Sequence, residues 1–353
     1  MRDEVVEMNG IVNVNGIINI NKEKGYTSHD VVAIVRKKFG KVKTGHAGTL
    51  DPQAEGVLPV CIGRSTKLVD YLASDKAYRA ELILGKTTDT DDHTGVVLSA
   101  CDTPKACEMI EEVKEAAKFF IGGYEQVPPM YSAIKTNGKK LYELARSGQV
   151  IERKPRKVEI YNIEVSLEVT DEDNGRMWLD VDCGKGTYIR SLCRDIGQKL
   201  GYGGCMGDLI RTKSGPFTID TAIKLSELEK VELEQIGLGQ VELEKVELEQ
   251  IGLGQMANQA LEQEERRFLV PLSVPLLVPP HIAVPAPHGV IKNEKAIKPA
   301  LNGNPIALEN VKLDKPLNEN EYCWIHHETK TAKNIIGLYT LNSRKLKPEV
   351  LML

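Results

Sequence analysis

The sequence predicts an α+β protein in which helices flank a mixed sheet, followed by a small β-rich module. In the first two thirds of the chain, segments with apolar residues at alternate positions are separated by capped segments with helical spacing. After a proline-rich crossing at residues 270–287, glycine and proline divide the chain into short strand-like segments. With 353 residues, the chain is long enough for two or three domains and a substantial core.

The apolar period and the capping residues place the individual elements. A strand is expected at residues 16–20, followed by a turn and a helix that Thr27 or Ser28 caps. A second helix is expected to start at residues 102–104, because proline favours the first helical position, and to bury Cys107. Further strands are predicted at 78–84, 157–169, 177–183, 305–307, 321–326, 334–339 and near residue 350, with a third helix after residue 187.

The charge of the chain is unevenly distributed. The net charge is −4, but residues 226–265 hold eleven glutamates against Lys230 and Lys245, so the rest of the chain is basic. The segment 227–240 is repeated at 242–255, which indicates a tandem duplication in an acidic surface excursion. Basic residues are clustered instead at 36–43 and 135–157. Such clusters favour binding to a phosphate backbone, although a solvated charged face is the alternative.

Cysteine usage and the absence of long apolar runs predict a cytoplasmic protein. The seven cysteines form no C-x-x-C pair and are odd in number, which favours reduced thiols over a disulfide framework or a zinc site. Residues 1–10 lack the apolar core of a secretory signal. No run approaches the ~20 apolar residues that a membrane span requires.

No motif in the sequence indicates a cofactor. A P-loop and a dinucleotide fingerprint are both absent. The polar loop at residues 85–95 holds Asp89, Asp91, Asp92 and His93, but it lacks the spacing and the terminal glutamate of an EF-hand. These absences agree with a protein that needs no cofactor.

The segment at residues 45–59, GHAGTLDPQAEGVLP, is the part of the chain most suited to chemistry. Small residues precede Asp51 and allow close approach of a ligand to the backbone. Pro52 disfavours a helical conformation at Asp51, so a turn should display the carboxylate. A capped Asp-Pro turn without chemistry is the alternative.

This segment resembles the motif of the TruB family of pseudouridine synthases, G-H-x-G-x-L-D-P-x-A-x-G-V-L-P, which carries the family's essential aspartate. The resemblance recurs in the basic segment from residue 126, in KGTYIR at 185–190 and in the L-x-R-T-x-x-G-x-F pattern at 209–217. Lys22 and Gly25 match a family corner, although Glu23 stands where the family usually has proline. The segments AIKPALNGNPI and NIIGLYTLN resemble PUA domains, which are RNA-binding barrels.

These resemblances imply a fold and a division of the chain. The pseudouridine synthase fold implies a mostly antiparallel mixed sheet, and the PUA resemblance implies a small C-terminal β-barrel. The expected parts are an N-terminal extension (1–15), a catalytic domain (16–226) with a thumb-like insertion (about 124–157), an acidic duplicated insertion (227–265), a proline-rich crossing (266–287) and a PUA-like domain (288–353).

The resemblance also implies isomerisation of the T-loop uridine of tRNA, position 55, to pseudouridine, with the base flipped out of its stack. No cofactor is required because the bonds broken and formed balance. Asp51 matches the catalytic carboxylate, as nucleophile or as base; Arg190 matches its partner, and Tyr78 matches the aromatic residue that stacks on the uracil. Surface ion pairing is the alternative for Arg190, and core packing is the alternative for Tyr78.

Four further residues match substrate-binding positions of the family. His46 matches the residue that contacts the T-loop, with a structural histidine as the alternative. Tyr188 and Leu209 match positions that line the uracil pocket, although a buried leucine is equally explained by core packing. Lys22 completes the predicted substrate-binding set.

Two other functions stay open at this point. One is a tRNA-binding or tRNA-folding protein of the same fold without chemistry, and the other is a relative that a separate RNA guides. The basic thumb-like insertion favours an enzyme that grips its own substrate. The expected partner is the T-arm of tRNA, with no membrane, no small-molecule cofactor and a monomeric state.

Overall fold

The computed structural model describes residues 14–132, 134–136, 138–149, 151–168, 176–231, 277–328 and 333–352. Most of the N-terminal extension, most of the acidic duplicated insertion and the first part of the proline-rich crossing lie outside these residues. Predictions about those segments therefore stay predictions. Among the described residues, no helix combines the length and the apolar character needed to cross a membrane.

Ten strands of the described chain form one large sheet, and four more form two short hairpins. The strands are β1 (Gly16–Lys22), β2 (Thr44–His46), β3 (Glu55–Ile62), β4 (Lys76–Leu84), β5 (Lys86–Thr88), β6 (Val97–Ala100), β7 (Gly122–Gln126), β8 (Lys135–Thr136), β9 (Lys139–Lys140), β10 (Arg156–Glu168), β11 (Arg176–Cys183), β12 (Gly204–Ser214), β13 (Phe217–Thr218) and β14 (Ile223–Lys224). The helices of this part are α1 (Ser28–Lys38), α2 (Ala106–Lys118), α3 (Leu141–Arg146), α4 (Ile189–Leu200) and α5 (Leu225–Lys230).

The large sheet has the order β14–β1–β3–β12–β4–β11–β10–β7, with β2 beside β3 and β13 beside β12. Within the described part of this large sheet, only β1–β14 and β3–β12 pair in parallel. A mixed, mostly antiparallel sheet is therefore confirmed. Apolar residues of α1, α2 and α4 pack against it in one core with Ile20, Leu58, Ala80 and Leu179.

The C-terminal part contains a second sheet of six strands in the order β16–β20–β19–β18–β15–β17. Its elements are α6 (Pro280–Ala283), β15 (His288–Ile291), α7 (Glu294–Leu301), β16 (Ile306–Ala307), β17 (Val311–Leu313), β18 (Tyr322–Glu328), β19 (Lys333–Asn342) and β20 (Lys345–Leu351). The edge strands β16 and β17 are joined by a single 3-10 turn, Leu308–Asn310, so the two edges lie close together. The sheet is nearly closed, which confirms the predicted small barrel; its assignment as PUA-like stays a prediction.

Local capping explains why α1 and α4 form where the sequence predicts. Thr27 caps α1 in a capping box with Asp30. Gly201 ends α4 in the left-handed conformation, at φ 84°, which favours glycine. The sequence prediction for α2 was wrong in two respects: α2 begins at Ala106 instead of at 102–104, and Cys107 is exposed.

Candidate active site

The hydrogen-bond register aligns one residue from each of five strands in a row across the sheet. Lys22 pairs with Gly56, Gly56 with Arg211, Arg211 with Tyr78, and Tyr78 with Val181. Gly56 has φ 103°, and an added methyl group would lie 2.2 Å from the Arg211 carbonyl oxygen. Only glycine fits there, and this close approach brings distant segments of the chain to one place.

Asp51 lies in the loop between β2 and β3, and α1 holds this loop. The Ser28 hydroxyl donates to the Leu50 carbonyl oxygen at 3.2 Å and accepts from the Leu50 N–H at 2.9 Å. The Ala54 N–H donates to the Asp51 carbonyl oxygen at 3.0 Å, which closes a turn around Pro52. The predicted display of the carboxylate from a turn is therefore present.

Arg211 also holds the loop that carries Asp51. It is fully buried, and its guanidinium donates to the carbonyl oxygens of Val57 at 2.7 Å, Gly48 at 3.1 Å and Thr49 at 3.4 Å. No ion pair of Arg211 with a carboxylate occurs among the described residues. The three backbone carbonyl oxygens therefore stabilise the positive charge of the buried guanidinium. The sequence indicated Arg211 only as part of a family pattern, without this role.

Lys22 contributes a third attachment. Its buried ammonium donates to the carbonyl oxygens of Glu23 at 3.0 Å, Tyr26 at 2.8 Å and Pro52 at 3.1 Å. Burial lowers the pKa of Lys22 to about 8, while the carboxylates of Glu55 and Asp51 oppose that shift. All three ammonium hydrogens have backbone acceptors here. The predicted contact with substrate stays a prediction, and the visible role is to hold the residue after Asp51.

Arg190, on the first turn of α4, forms the ion pair with Asp51. The distance from Arg190 Nε to Asp51 Oδ2 is 3.2 Å. The Arg190 side chain is 7% exposed and that of Asp51 is 45% exposed, so a buried cation holds a carboxylate that a ligand can still reach. Arg190 also donates to the carbonyl oxygens of Thr90 at 3.2 Å and Tyr131 at 2.9 Å, which fixes its plane.

The polar loop at residues 85–95 supplies two further carboxylates that sequence reasoning missed. Asp92 Oδ2 lies 3.7 Å from Arg190 Nη1, and Asp91 Oδ2 lies 2.7 Å from Arg194 Nη1. Burial raises the pKa of Asp91, with Arg194 opposing the shift. Within the described ranges no group of three or more His, Cys, Asp or Glu side chains has the geometry to hold a metal ion. No local signal in the sequence links this loop to arginines about a hundred residues further along.

Tyr78 is buried beside Arg211, its partner across the strands. Burial raises the pKa of Tyr78, the Arg211 guanidinium opposes that shift, and the Asp51 carboxylate adds to it. The phenol therefore stays protonated at neutral pH within the electrostatic reach of Asp51. Asp51, Tyr78 and Arg190 thus share one site.

Tyr188 and Leu209 are the two residues predicted to line the uracil pocket. The Gln126 side chain accepts from the Tyr188 N–H at 2.8 Å and donates to its carbonyl oxygen at 3.0 Å, which fixes the backbone just before Arg190. Leu209 is 7% exposed and packs in the main core. A pocket role for Leu209 stays a prediction.

His46, at the end of β2, faces α1 at the rim of the site. Its ring meets the His29 ring edge-on, with the centroids 5.5 Å apart. Burial lowers the pKa of His46, with His29 and Arg211 contributing, so this imidazole is neutral at pH 7. Its buried Nδ1 has no hydrogen-bond partner among the described residues.

A basic surface, defined here as Arg36, Lys37, Lys41, Lys43, Arg64 and Lys67, flanks β2. Two shallow depressions divide it: one is lined by His29, Arg36, Lys37 and Lys41, and the other by Lys43, Arg64 and Lys67. All six side chains are exposed, and His29 joins this surface to His46. A surface of this kind suits a phosphate backbone.

Comparison with known sequences gives two family matches and close relatives. Residues 36–189 match the TruB family pseudouridylate synthase N-terminal domain, and residues 190–276 match the tRNA pseudouridylate synthase B C-terminal domain. A tRNA pseudouridine synthase B from Alkaliphilus oremlandii (strain OhILAs) is 53% identical over 226 residues, which cover 64% of this chain and 71% of that protein. The same-named protein from Clostridium perfringens (strain SM101 / Type A) is 48% identical over 229 residues, covering 65% and 74%.

Solved structures share the fold over nearly the whole chain. A chain in the crystal structure of a Cbf5-Nop10-Gar1 complex has a TM-score of 0.61 at 25% identity, covering 96% of this chain and 85% of that chain. A chain in an H/ACA RNP bound to a substrate RNA containing 2'-deoxyuridine has a TM-score of 0.60 at 24% identity, with the same coverage. At this level of identity the second likeness is one of fold alone.

Proposed function

Because the chain belongs to the TruB family of pseudouridylate synthases, we propose that it converts the T-loop uridine of tRNA, position 55, to pseudouridine with Asp51 as the essential carboxylate. One part of this statement follows from family membership: the protein is an isomerase that acts on uridine in tRNA. The T-loop site, the aspartate mechanism and base flipping are our proposal.

The Asp51–Arg190 ion pair carries the proposal. The reaction breaks the bond between N1 of uracil and C1′ of ribose and forms a bond from C5 to the same carbon. N1 gains a proton and C5 loses one, so atoms balance within the nucleotide. An ionised carboxylate serves as nucleophile or as base, and Arg190 favours that ionised form at 3.2 Å. Because Asp51 is 45% exposed, the carboxylate can meet a nucleotide that enters the site.

The surroundings of Asp51 suit a flipped base. Unstacking and unpairing a base costs a few kcal/mol, and an enclosing pocket compensates for this cost. Tyr78 offers a buried aromatic face, and Tyr188 lies next to Arg190 with its backbone fixed by Gln126. The lowered pKa of His46 favours a neutral imidazole, which suits contact with the opened RNA loop better than proton transfer.

Recognition of tRNA by shape has support in the charge distribution. The basic surface adjoins His46 at the rim of the site, so phosphates on either side of the target uridine have cations to meet. The C-terminal barrel, as a PUA-like domain, extends this grip toward the acceptor arm. The acidic duplicated insertion stays away from bound RNA because like charges repel. A monomer is sufficient for all of these contacts.

The test is incubation of the purified chain with unmodified tRNA transcript, followed by mapping of pseudouridine and measurement of tritium released from C5-labelled uridine. We expect modification at one T-loop position for the wild type and none for Asp51→Asn. Asp70→Asn serves as the matched control, because Asp70 is an exposed carboxylate on the 3-10 segment Gly63–Tyr71. Equal tritium release by wild type and Asp51→Asn would remove the catalytic assignment.

The same experiment separates the two alternatives. A silent tRNA-binding protein binds the transcript but forms no pseudouridine in the wild type. A guided relative requires an added RNA, so activity of the isolated chain on transcript alone excludes that mode. The basic residues at 139, 153, 154, 156 and 157 of the thumb-like insertion favour a chain that grips its own substrate.

A further inference from the structure

Lys76 is a half-buried cation of the site that the proposed mechanism does not use. It begins β4, two residues before Tyr78, and its side chain therefore lies on the same face of the sheet. No hydrogen bond or ion pair joins its ammonium to any residue in the described part of the chain. Burial lowers the pKa of Lys76, and the neighbouring Arg211 adds to that shift.

The side chain of Lys76 lies against the loop that carries Asp51. A methyl group added at Gly48 would lie 3.5 Å from Lys76 Cε, 3.8 Å from Lys76 Nζ and 3.5 Å from Arg211 Nη1. Gly48 is three residues before Asp51 and has φ 96°, so glycine keeps this space open. The ammonium thus lies beside the Gly48–Asp51 loop.

The two cations beside Gly48 differ in what they can still bind. Arg211 donates to three backbone carbonyls and is fully buried. Among the described residues, none accepts a hydrogen from the Lys76 ammonium. The one acid next to it in sequence, Asp75, is exposed and accepts a hydrogen bond from the Tyr161 hydroxyl at 3.1 Å.

A partly desolvated ammonium without a partner is unfavourable, and an arriving anion relieves that cost. Uracil and ribose are neutral, so the anions that enter the site with the target nucleotide are its two flanking phosphates. We propose, on the basis of the function proposed above, that Lys76 binds one of these phosphates and so holds the flipped nucleotide against the Gly48–Asp51 loop. Lys76 is a substrate-positioning residue in this assignment and takes no part in bond making.

The test uses a T-arm RNA in which a neutral methylphosphonate replaces the phosphate on the 5′ or the 3′ side of the target uridine. For the wild type, we expect one of the two replacements to lower kcat/KM about tenfold or more, as loss of a charged hydrogen bond does. Lys76→Met should show a similar loss on the unmodified RNA and no further loss with that replacement. Lys76→Arg keeps the charge and should recover most of the rate.

A second lysine provides the control for this test. Lys114→Met removes a lysine of similar exposure from α2, and this variant should stay as sensitive to the methylphosphonate as the wild type. The proposal is overturned if the losses from Lys76→Met and from each replacement multiply, or if Lys76→Met is as active as the wild type. Thermal melts identify a variant that fails to fold. If Lys76→Met fails to fold, Lys76→Arg tests the proposal instead, through its sensitivity to the methylphosphonate replacement. Absence of pseudouridine in the wild type on unmodified RNA would refute the proposed function instead.

Discussion

At the scale of single residues, buried cations that bind backbone carbonyls hold the Asp51 loop. Lys22 donates to the carbonyl oxygen of Pro52, just after Asp51, and Arg211 donates to those of Gly48 and Thr49, just before it. Neither side chain is exposed. Such bonds fix the loop without placing a second carboxylate beside Asp51. The arrangement leaves Arg190 as the cation that pairs with the catalytic candidate.

The lowered pKa of Lys22 predicts a dependence of stability on pH. Between the folded pKa of about 8 and the ordinary value of 10.5, the unfolded chain binds more protons, so the contribution of Lys22 to the free energy of unfolding rises with pH. Lys22→Met lacks this term. From pH 7 to pH 10 the wild type should therefore gain roughly 2 kcal/mol relative to Lys22→Met, measured by urea unfolding.

Lys24 provides the matched control for that measurement. It is exposed, and its hydrogen bond to Asp208 raises the pKa of Lys24 above the ordinary value. Lys24→Met should therefore show no such gain over the same range. A constant difference between wild type and Lys22→Met at all pH values would contradict the buried ammonium.

Motifs could predict the central residues of the site but not their supports. Asp51, Tyr78 and Arg190 were predicted from family patterns, and the structure brings them together. The role of Asp92 and the position of Lys76 had no signal, because Asp92 lies 98 positions from Arg190 and Lys76 lies 28 positions from Gly48 in the sequence. Such contacts follow from strand register, which one sequence does not specify.

At the scale of elements, the segment at residues 85–95 reaches the candidate active site through Asp92. Asp92 shares Arg190 with Asp51 and also accepts hydrogen bonds from Thr90 and Thr94, which keep its carboxylate in place. Asp92→Asn removes one of the two carboxylates that pair with Arg190. It should lower kcat about tenfold with little change in KM, because the Arg190 guanidinium that faces Asp51 then loses a charged anchor. Single-turnover kinetics on tRNA transcript measure this effect.

Asp89→Asn tests whether the charge or the loop shape matters. Asp89 lies in the same loop and accepts from the Val96 N–H at 2.8 Å, but it pairs with no arginine among the described residues. We expect this variant to keep most of the activity. Equal losses for Asp89→Asn and Asp92→Asn would assign the effect to the loop conformation.

The start of α2 shows how tertiary contacts override a local signal. Pro104 predicted a helix from residues 102–104, but the Cys101 N–H donates to the Gly85 carbonyl oxygen at 2.8 Å and holds that segment extended. The helix begins instead at Ala106, whose buried position sets the inward face and turns Cys107 to solvent. The apolar period of α2 was predictable from the sequence. The position of its first turn was not, because it depends on the hydrogen bond to Gly85, which is distant in the sequence.

At the scale of the whole molecule, two sheets with separate cores meet through one apolar cluster. The members of this joining cluster are Leu68, Val284, Trp324, Leu338, Val350 and Met352. Leu68 comes from the 3-10 segment after β3, while Trp324, Leu338 and Val350 come from the small sheet, and Trp324 Nε1 donates to the Val284 carbonyl oxygen at 2.8 Å. The sequence could predict both sheets but not this contact, because no apolar period identifies which exposed positions will pair.

The joining cluster predicts coupled unfolding that a single leucine controls. The chain has two tryptophans, Trp178 in the large sheet and Trp324 in the small one, so in a Trp178→Phe background the fluorescence reports the small sheet while far-UV circular dichroism reports both sheets. Both signals should show one shared denaturation midpoint. Leu68→Ala leaves a cavity that costs about 2–5 kcal/mol at the joining cluster, and the small sheet should then unfold at lower denaturant than the large sheet.

Leu192→Ala, deep in the core of the large sheet, leaves the joining cluster intact and should lower both midpoints together. If Leu68→Ala also moved both midpoints by the same amount, the two sheets would be one cooperative unit and the cluster would not be the link between them.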